Sequence, residues 1–293
     1  MTIVSGKTII QNARDNGYAI GAFNTNNLEW TQAILRAAQA KDAPILITAS
    51  MGAVKYMGGA KTVADLVRNL DHGLNITVPV AIHLDHGDYE MTKEAIAAGF
   101  TSVMFDGSDL SIAENLEKTR EIVELAHSRG ISVEAEVGSI GGEEDGIVGA
   151  GEIASIDESK YMVSAGVDFL AAGIGNMHGV YPADWQGLKL SHLKELGAAV
   201  DALKGGKMPI VLHGGSGVPD EQIREAISYG VAKVNVNTEA QLAFHQAVRD
   251  YVLSDEDLKG KNYDPRKFLK PGVMAIQKAV EDRIDVFGSA GKA

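Results

Sequence analysis

The feature that most constrains the fold is an alternation of short apolar runs and helical patterns that continues along nearly the whole chain. Eight apolar runs are typical of buried strands, and segments of helical periodicity separate them. The predicted strands cover residues 18–23, 44–48, 78–84, 101–105, 131–137, 168–172, 208–212 and 231–236. Eight such units in one chain favour an α/β fold in which a parallel sheet closes into a (β/α)8 TIM barrel.

The helices and the domain boundaries follow from the same pattern. Helices are predicted at residues 28–41, 62–74, 89–98, 111–128, 158–165, 190–203, 220–229 and 239–253. No linker or low-complexity segment interrupts the pattern, so we predict one domain over residues 1–293. Within it the barrel covers about residues 17–253, and a C-terminal extension over 254–293 carries a last helix at 273–286.

The composition restricts which partners and sites fit this fold. A formal net charge of −12 disfavours a nucleic-acid partner. No apolar run is long enough to span a bilayer, and the first residues lack the basic-then-apolar order of a signal peptide. We therefore expect a soluble, cytoplasmic protein without a membrane partner. Because the chain has no cysteine, a metal site would have to use histidine, carboxylate or backbone oxygen.

Polar residues stand at the ends of nearly all the predicted strands. They are Asn24, Ser50, Asp85 with His86, Asp106, Glu136, His213, and Asn235 with Asn237. Helix capping would explain one or two polar ends. In a closed parallel barrel, however, all these ends meet on the face where active sites lie. The pattern therefore predicts a functional mouth at that face.

Three histidines at or beyond strand ends match the ligand set of a catalytic zinc site. His86 follows the third strand, His178 lies in the loop after the sixth, and His213 ends the seventh. Three imidazoles with an open fourth position are a catalytic zinc arrangement. His83 has two open interpretations, since it either orients Asp85 or is an ordinary strand residue. The other histidines are interpreted as surface or packing residues: His72, His127, His192 and His245.

Two polar turns follow the seventh and eighth strands, where barrels of this kind commonly bind phosphate. One is His-Gly-Gly-Ser-Gly at 213–217, and the other is Asn-Val-Asn-Thr at 235–238. Free backbone N–H groups and the dipole of the following helix favour an anion at such turns. Two of them on adjacent strands, one with a candidate metal ligand, predict a phosphate site.

The glycine-rich stretch 138–151 is too polar for the core and too long for a simple turn. In a compact domain such a segment indicates a functional lid. Its acidic cluster, Glu143-Glu144-Asp145, has two interpretations that the pattern leaves open. It is either a solvated loop, or it supplies one glutamate that removes a substrate proton when the lid closes.

These motifs together resemble the class II, metal-dependent fructose-bisphosphate aldolases and the related tagatose-bisphosphate aldolases, and the length is similar to the shorter branch of that family. The resemblance covers about residues 17–268. It rests on His-Leu-Asp-His-Gly (83–87), Glu-Ala-Glu-Val-Gly (134–138), Gly-Gly-Glu-Glu-Asp-Gly (141–146), Gly-Asn-Met-His-Gly-Val-Tyr (175–181), His-Gly-Gly-Ser-Gly (213–217), Val-Asn-Val-Asn-Thr (234–238) and Tyr-Asp-Pro-Arg (263–266). It implies reversible cleavage of fructose 1,6-bisphosphate to dihydroxyacetone phosphate and glyceraldehyde 3-phosphate in glycolysis and gluconeogenesis.

The resemblance also implies roles for individual residues. Zinc held by His86, His178 and His213 would polarise the substrate ketone and stabilise an enediolate, and Asp106 and Glu136 match a second, displaced metal position. Asp85 matches the group that exchanges a proton with the C4 hydroxyl. Glu144 matches the lid carboxylate that removes a proton from dihydroxyacetone phosphate.

Substrate contacts and subunit contacts are implied in the same way. The residues matching the ketose-phosphate site are Gly179, Gly214, Ser216, Asn235, Asn237 and Thr238. Asn24, Ser50 and Gly215 stand at the same mouth and are predicted to contact substrate as well. A sodium or potassium ion is expected near that phosphate. Arg266 matches a residue that reaches the other phosphate from a neighbouring subunit, which implies a homodimer or homotetramer.

Three alternatives remain at this point. Tagatose 1,6-bisphosphate differs from the fructose compound only in configuration at C4, so no motif separates the two substrates. A Schiff-base aldolase would use a strand lysine such as Lys233 and would not need a metal. A non-catalytic sugar-phosphate sensor would keep the phosphate turns without needing Asp85 and Glu144 together. Without the resemblance, the residues predict a metal-dependent enzyme acting on phosphorylated substrates.

Overall fold

The computed structural model describes residues 2–144 and 147–293, with the backbone alone for Glu144, Ile147 and Val148. Within these residues eight parallel strands form a closed barrel, in which the first strand pairs with both the second and the last. The barrel strands are β1 (Ile20–Asn24), β2 (Ile45–Ser50), β3 (Val80–Gly87), β4 (Ser102–Phe105), β5 (Ser132–Val137), β8 (Phe169–Ala172), β10 (Ile210–Leu212) and β11 (Val231–Val236). The predicted TIM barrel is confirmed.

Helices surround the barrel close to where the periodicity predicted them. They are α1 (Gly6–Asn16), α2 (Leu28–Ala40), α3 (Met51–Tyr56), α4 (Ala60–Gly73), α5 (Tyr89–Ala98), α6 (Ile112–His127), α7 (Ile156–Ser164), α8 (Leu190–Lys204), α9 (Asp220–Ser228), α10 (Thr238–Leu253), α11 (Pro265–Phe268) and α12 (Lys270–Phe287), with a 3₁₀ turn at Glu256–Leu258. Local signals set their ends, as in α6, where Ser111 and Glu114 form a reciprocal capping box. The sequence prediction missed α1, α3 and α11. None of the described helices is long and apolar enough to cross a membrane.

The barrel interior is apolar at the bottom and polar at the top. Its lower part is one cluster of buried residues that includes Ile20, Leu46, Met104 and Phe169. Helix α1 closes this end and contributes Ile9, Ile10 and Ala13 to the same cluster. The inward positions nearer the strand ends are instead histidine, carboxylate, amide and lysine side chains, which are also buried. The apolar floor therefore confines polar chemistry to the C-terminal face.

Part of the predicted lid forms a small second sheet. Strand β6 (Gly141–Glu144) pairs antiparallel with β7 (Ile147–Gly149), and on its other side it runs parallel to β9 (Met177–His178). In this register Gly142 lies opposite His178. The lid is therefore hydrogen-bonded to the segment that carries one of the candidate metal ligands.

The C-terminal extension packs on the outside of the barrel. Helix α12 lies against α2 and α10, and it buries Ile276, Val280, Ile284 and Phe287. The carbonyl oxygen of Phe287 also accepts a hydrogen bond from the backbone N–H of Ala19, 3.0 Å away, just before β1 begins. The extension is thus part of the packing around β1.

Candidate active site

The three predicted histidines meet at the barrel mouth. His86 is the penultimate residue of β3, His178 lies in β9, and His213 directly follows β10. The Nε2 atom of His86 is 3.0 Å from the Nδ1 atom of His213, and one nitrogen from each of the three rings lies within 4.8 Å of the others. Two nitrogens bound at about 2.0–2.1 Å to one tetrahedral zinc ion lie roughly 3.3 Å apart. The cluster therefore has the spacing of a metal site.

The second nitrogen of His86 faces two carboxyl groups. Its Nδ1 atom is 2.7 Å from Asp106 Oδ2 and 3.8 Å from Glu136 Oε2. These three residues also bring one ligand atom each within 4.8 Å of the others. His86 has a positive φ of 47°, a strained backbone for a non-glycine residue that holds the ring between the two groups.

This second group offers donor atoms that suit a divalent cation. Burial opposes a charge on His86, but its hydrogen bond to Asp106 and the nearby Asp85 and Glu136 raise its pKa. Burial and the adjacent Asp106 raise the pKa of Glu136 to about 8. Glu136 Oε2 is also buried and has no hydrogen-bond partner among the described residues. Imidazole nitrogen with an unsatisfied carboxylate oxygen is a donor set that suits zinc and related divalent ions. The residues present therefore fit the metal implied by the resemblance.

Asp85 is held rigidly beside the imidazoles. It is 1% exposed, its Oδ2 atom accepts from Asn24 Nδ2 and its Oδ1 atom accepts from Asn235 Nδ2, each at 3.0 Å. Burial acts against its charge, but the electrostatic influence of the nearby His86, His213 and Lys233, together with the hydrogen bond from Asn24, lowers the pKa of Asp85 to about 2. At neutral pH Asp85 is therefore an oriented carboxylate, able to accept a proton from a hydroxyl group.

The imidazole of His213 also contacts a buried ion pair. Its Nε2 atom lies 2.8 Å from Glu134 Oε1, and Glu134 Oε2 lies 2.8 Å from Lys233 Nζ. His83 places its Nδ1 atom 2.7 Å from Ser102 Oγ and its Nε2 atom 3.5 Å from Glu134 Oε2. Of its two interpretations, the one in which His83 orients Asp85 has no hydrogen bond to support it.

A cavity of about 240 Å³ contains the predicted phosphate turns. It is lined by Asn24, Asp85, Glu143, His178, Gly179, Gly214, Ser216, Asn235, Asn237, Thr238 and Gln241. Ser216 joins the two turns, because its Oγ atom accepts from the backbone N–H groups of Asn237 and Glu239, each at 3.2 Å. The first turn of α10 borders this cavity, which favours an anion there. A second cavity of about 350 Å³ includes Ser50, His86, Asp106 and Glu136, and His178 lines both cavities.

Three of the predicted substrate-binding residues do not line the cavity that holds the phosphate turns. Gly215 packs against β11, where its N–H group donates to the carbonyl of Asn235 at 2.8 Å. Ser50 lines the larger cavity and caps α3. Arg266 lines neither cavity, is 88% exposed and pairs with Asp264.

The acidic lid cluster is only partly described. Glu143 lines the smaller cavity, where it faces the same space as Asp85. The side chain of Glu144 and the whole of Asp145 lie outside the described residues.

The sequence reasoning missed several residues that build the mouth. Asn176 is 1% exposed and donates from Nδ2 to the carbonyl of His213, at 3.0 Å. Tyr181 accepts from the N–H of Met177 at 2.9 Å and donates to the carbonyl of Gly214 at 2.8 Å. Glu134 and Gln241 were also missed as site residues. Asn176 and Tyr181 lie in the same motif as His178, and their place in that motif could have identified them as site residues.

The fold and the mouth together define a barrel protein with a histidine cluster that has the spacing of a metal site, an oriented carboxylate and two turns suited to an anion. The chain belongs to the class-II fructose-bisphosphate aldolase family, whose model matches residues 4–292. It is 62% identical to a fructose-bisphosphate aldolase of Streptococcus pyogenes serotype M1 and 63% identical to one of Streptococcus pneumoniae strain R6, over 298 aligned residues and 100% of each chain. A crystal structure described as a putative fructose-1,6-bisphosphate aldolase from Coccidioides immitis superposes with a TM-score of 0.85 at 33% identity, over 98% of this chain and 97% of that one.

The pairing of β6 with β9 can be tested by adding a side chain at Gly142. Gly142 has φ of 82°, and a Cβ atom placed on it would lie 2.2 Å from the carbonyl oxygen of His178. Because backbone cannot yield as a side chain does, Gly142→Ala is expected to separate β6 from β9 and lower kcat/KM at least about tenfold. Gly206→Ala, at a site with no neighbouring atom within 4 Å, is the control. Unchanged kinetics in the Gly142 variant would show that catalysis does not need this pairing.

Proposed function

We propose that this chain catalyses the reversible aldol cleavage of fructose 1,6-bisphosphate to dihydroxyacetone phosphate and glyceraldehyde 3-phosphate, as a step of glycolysis and gluconeogenesis in the cytoplasm. Family membership and the names of the streptococcal relatives support this reaction. The observation that carries it is the lining of one cavity by Asp85, His178 and the two phosphate turns. A proton-transfer group, a candidate metal ligand and an anion site therefore face the same substrate.

We assign the metal to His86, His178 and His213, and we propose zinc as the ion. When bound, the metal supplies Lewis-acid polarisation of the substrate ketone. Asp106 and Glu136 offer a second position around His86. Of the three histidines, His178 lines the cavity that holds the phosphate turns.

The chain's own groups then move the protons. In cleavage, the Asp85 carboxylate accepts the proton of the C4 hydroxyl while the bond between C3 and C4 breaks. A lid glutamate, assigned to Glu144 by the family resemblance, returns a proton to the ketose phosphate carbon. In synthesis the same glutamate removes that proton, and Asp85 protonates the aldehyde oxygen. The amides of Asn24 and Asn235 hold Asp85 in place for both directions.

The ketose phosphate is assigned to the turns after β10 and β11. Backbone N–H groups near Gly214 and the first turn of α10, with the hydroxyl groups of Ser216 and Thr238, supply donors for an anion. Gly179 and Asn237 line the same space. We propose that a sodium or potassium ion accompanies the phosphate, as the family resemblance implies.

Rates of cleavage measured on the fructose and tagatose bisphosphates test this function. Faster turnover of the fructose compound is the expected result, with release of glyceraldehyde 3-phosphate followed by a coupled dehydrogenase. Preference for tagatose bisphosphate would assign the chain to the related activity. Binding of either compound without turnover would favour the sugar-phosphate sensor.

We also propose a homodimer or homotetramer, and one folded domain over residues 1–293. Arg266 lies in α11, which packs against α10 through Tyr251 and Phe268, with ring centroids 6.1 Å apart. Large apolar side chains are exposed on α10, α12 and the connecting segment: Leu242, Leu253, Leu258, Tyr263 and Met274. Exposed large apolar side chains suit a subunit contact, and Arg266 is exposed on α11, which lies between α10 and α12 in the chain.

An Arg266→Ala variant is expected to lose roughly ten- to a hundredfold in kcat/KM, because it removes a two-pronged contact to one substrate phosphate. Mixing it with an Asp85→Ala variant under subunit exchange is expected to restore activity. Some hybrid sites then combine an intact Asp85 with an intact Arg266 from the partner. If hybrids form and activity does not return, Arg266 acts within its own chain or not at all. Lys267→Ala, which changes the neighbouring exposed cation, is the control.

A further inference from the structure

We propose that the buried pair Glu134–Lys233 positions His213, fixing its ring so that Nδ1 is the nitrogen presented to the metal. The inference rests on the proposed metal site and adds to it two residues outside the ligand set. Both residues are completely buried in the barrel, below the histidine cluster. Neither has a task in the proton transfers described above.

The hydrogen-bond geometry determines the tautomer of His213. An ionised carboxylate only accepts hydrogen bonds, so the contact of 2.8 Å to Glu134 Oε1 places the ring hydrogen on Nε2. The lone pair is then on Nδ1. That atom lies 3.0 Å from His86 Nε2, and the Asn235 amide nitrogen lies 3.3 Å away on the same side. The nitrogen that faces the cluster is therefore the one able to bind a cation.

Lys233 holds the other oxygen of the same carboxylate. Its Nζ atom is 2.8 Å from Glu134 Oε2, and both side chains have no exposed surface. Glu134 lies on β5 and Lys233 on β11, which are not adjacent strands, so the pair spans the inside of the barrel. Because the ammonium group occupies Oε2, Glu134 is left with Oε1 for His213. This pairing also makes Lys233 unsuited to the Schiff-base role, which needs a free amine facing substrate.

The same arrangement occurs at another ligand of the cluster. Asp106 Oδ2 lies 2.7 Å from His86 Nδ1, while Nε2 of that ring faces His213. A carboxylate behind a metal-binding histidine sets its tautomer and raises its basicity, and losing one typically costs ten- to a hundredfold in metal affinity. A buried ion pair is a weak source of stability compared with apolar residues of similar volume. The geometry thus gives Glu134 and Lys233 a use other than stability.

The test is to replace the ion pair by an apolar pair, Glu134→Leu with Lys233→Met, and to measure zinc affinity by competition with a coloured chelator. The expected result is an affinity about ten- to a hundredfold lower, with the melting temperature of the metal-free protein little changed or raised. Glu134→Gln keeps an acceptor atom and loses its charge, so its affinity is expected to fall between that of the wild type and the apolar pair.

Asp168→Asn is the matched control, because Asp168 is another buried carboxylate with a lysine and a histidine partner, Lys7 and His127, each 2.9 Å away. It is expected to lose stability and keep its zinc affinity. If the apolar pair binds zinc as tightly as the wild type, the proposal is overturned. If the apolar pair does not fold, unchanged zinc affinity in Glu134→Gln overturns it instead. Failure of the wild type and the control to bind zinc would instead overturn the metal site.

Discussion

Removing metal with a chelator is expected to abolish cleavage, and added zinc is expected to restore it. The reason is the convergence of three imidazoles within 4.8 Å at the mouth of a barrel without cysteine. The described residues that line the smaller cavity include no lysine or arginine. Without the metal, no such side chain would therefore polarise the ketone there. A Lewis-acid contribution of several kcal/mol corresponds to a loss of about a thousandfold or more in rate.

A single ligand substitution tests the same site without a chelator. His213→Ala is expected to lower the zinc content measured by elemental analysis and to abolish turnover. His72→Ala changes an exposed histidine at the end of α4 and is the matched control. Full zinc content in the His213 variant would remove that residue from the ligand set. Activity that survives chelation would favour the Schiff-base mechanism, against the buried pairing of Lys233 with Glu134.

The second large effect is expected from Asp85 and the lid glutamate Glu144, which act on different protons. Asp85→Ala is expected to lower cleavage by about a hundred- to ten-thousandfold, because it removes the base for the C4 hydroxyl. Exchange of the dihydroxyacetone phosphate proton with solvent does not involve that hydroxyl, so part of the exchange is expected to survive. Hydrogen exchange followed by NMR in deuterated water measures this separately from cleavage.

Glu144→Ala is expected to suppress both cleavage and exchange, since the same carboxylate serves both reactions. Glu143→Ala provides the decisive comparison, because Glu143 lines the cavity and stands next to Glu144 in the same strand. Loss of exchange in the Glu143 variant alone would move the role to that residue. Equal loss of exchange in the Asp85 and Glu144 variants would contradict the proposed division of labour.

The fold and the convergence of the three histidines could be predicted because their signals are local. Each barrel strand is a short apolar run, and His86 and His213 directly follow or end such runs. His178 was predicted in the same way, from its place in the loop after the sixth predicted strand. Helix α1 was missed although Ile9, Ile10 and Ala13 have helical spacing, since its partners are inward residues of distant strands.

The buried pair beneath the histidine cluster could not be predicted from a local sequence pattern. Glu134 and Lys233 are 99 positions apart in sequence, and only closure of the barrel brings them to 2.8 Å. From the sequence, Lys233 is interpreted only as a Schiff-base lysine or as an edge or surface group. The lid hairpin likewise depends on a register with β9 that no turn signal specifies.

The pairing of β1 with β11 has a consequence for how the protein is made. The first barrel strand finds one of its two neighbours only in the last, and α1 also packs against β11. A nascent chain therefore cannot complete its barrel until nearly all of it has left the ribosome, and such non-local contacts slow folding. Until then β1 and β10 each expose an unpaired edge, which is a template for association with other chains. Interrupted synthesis before residue 231 would thus yield fragments suited to chaperone capture rather than a smaller working enzyme.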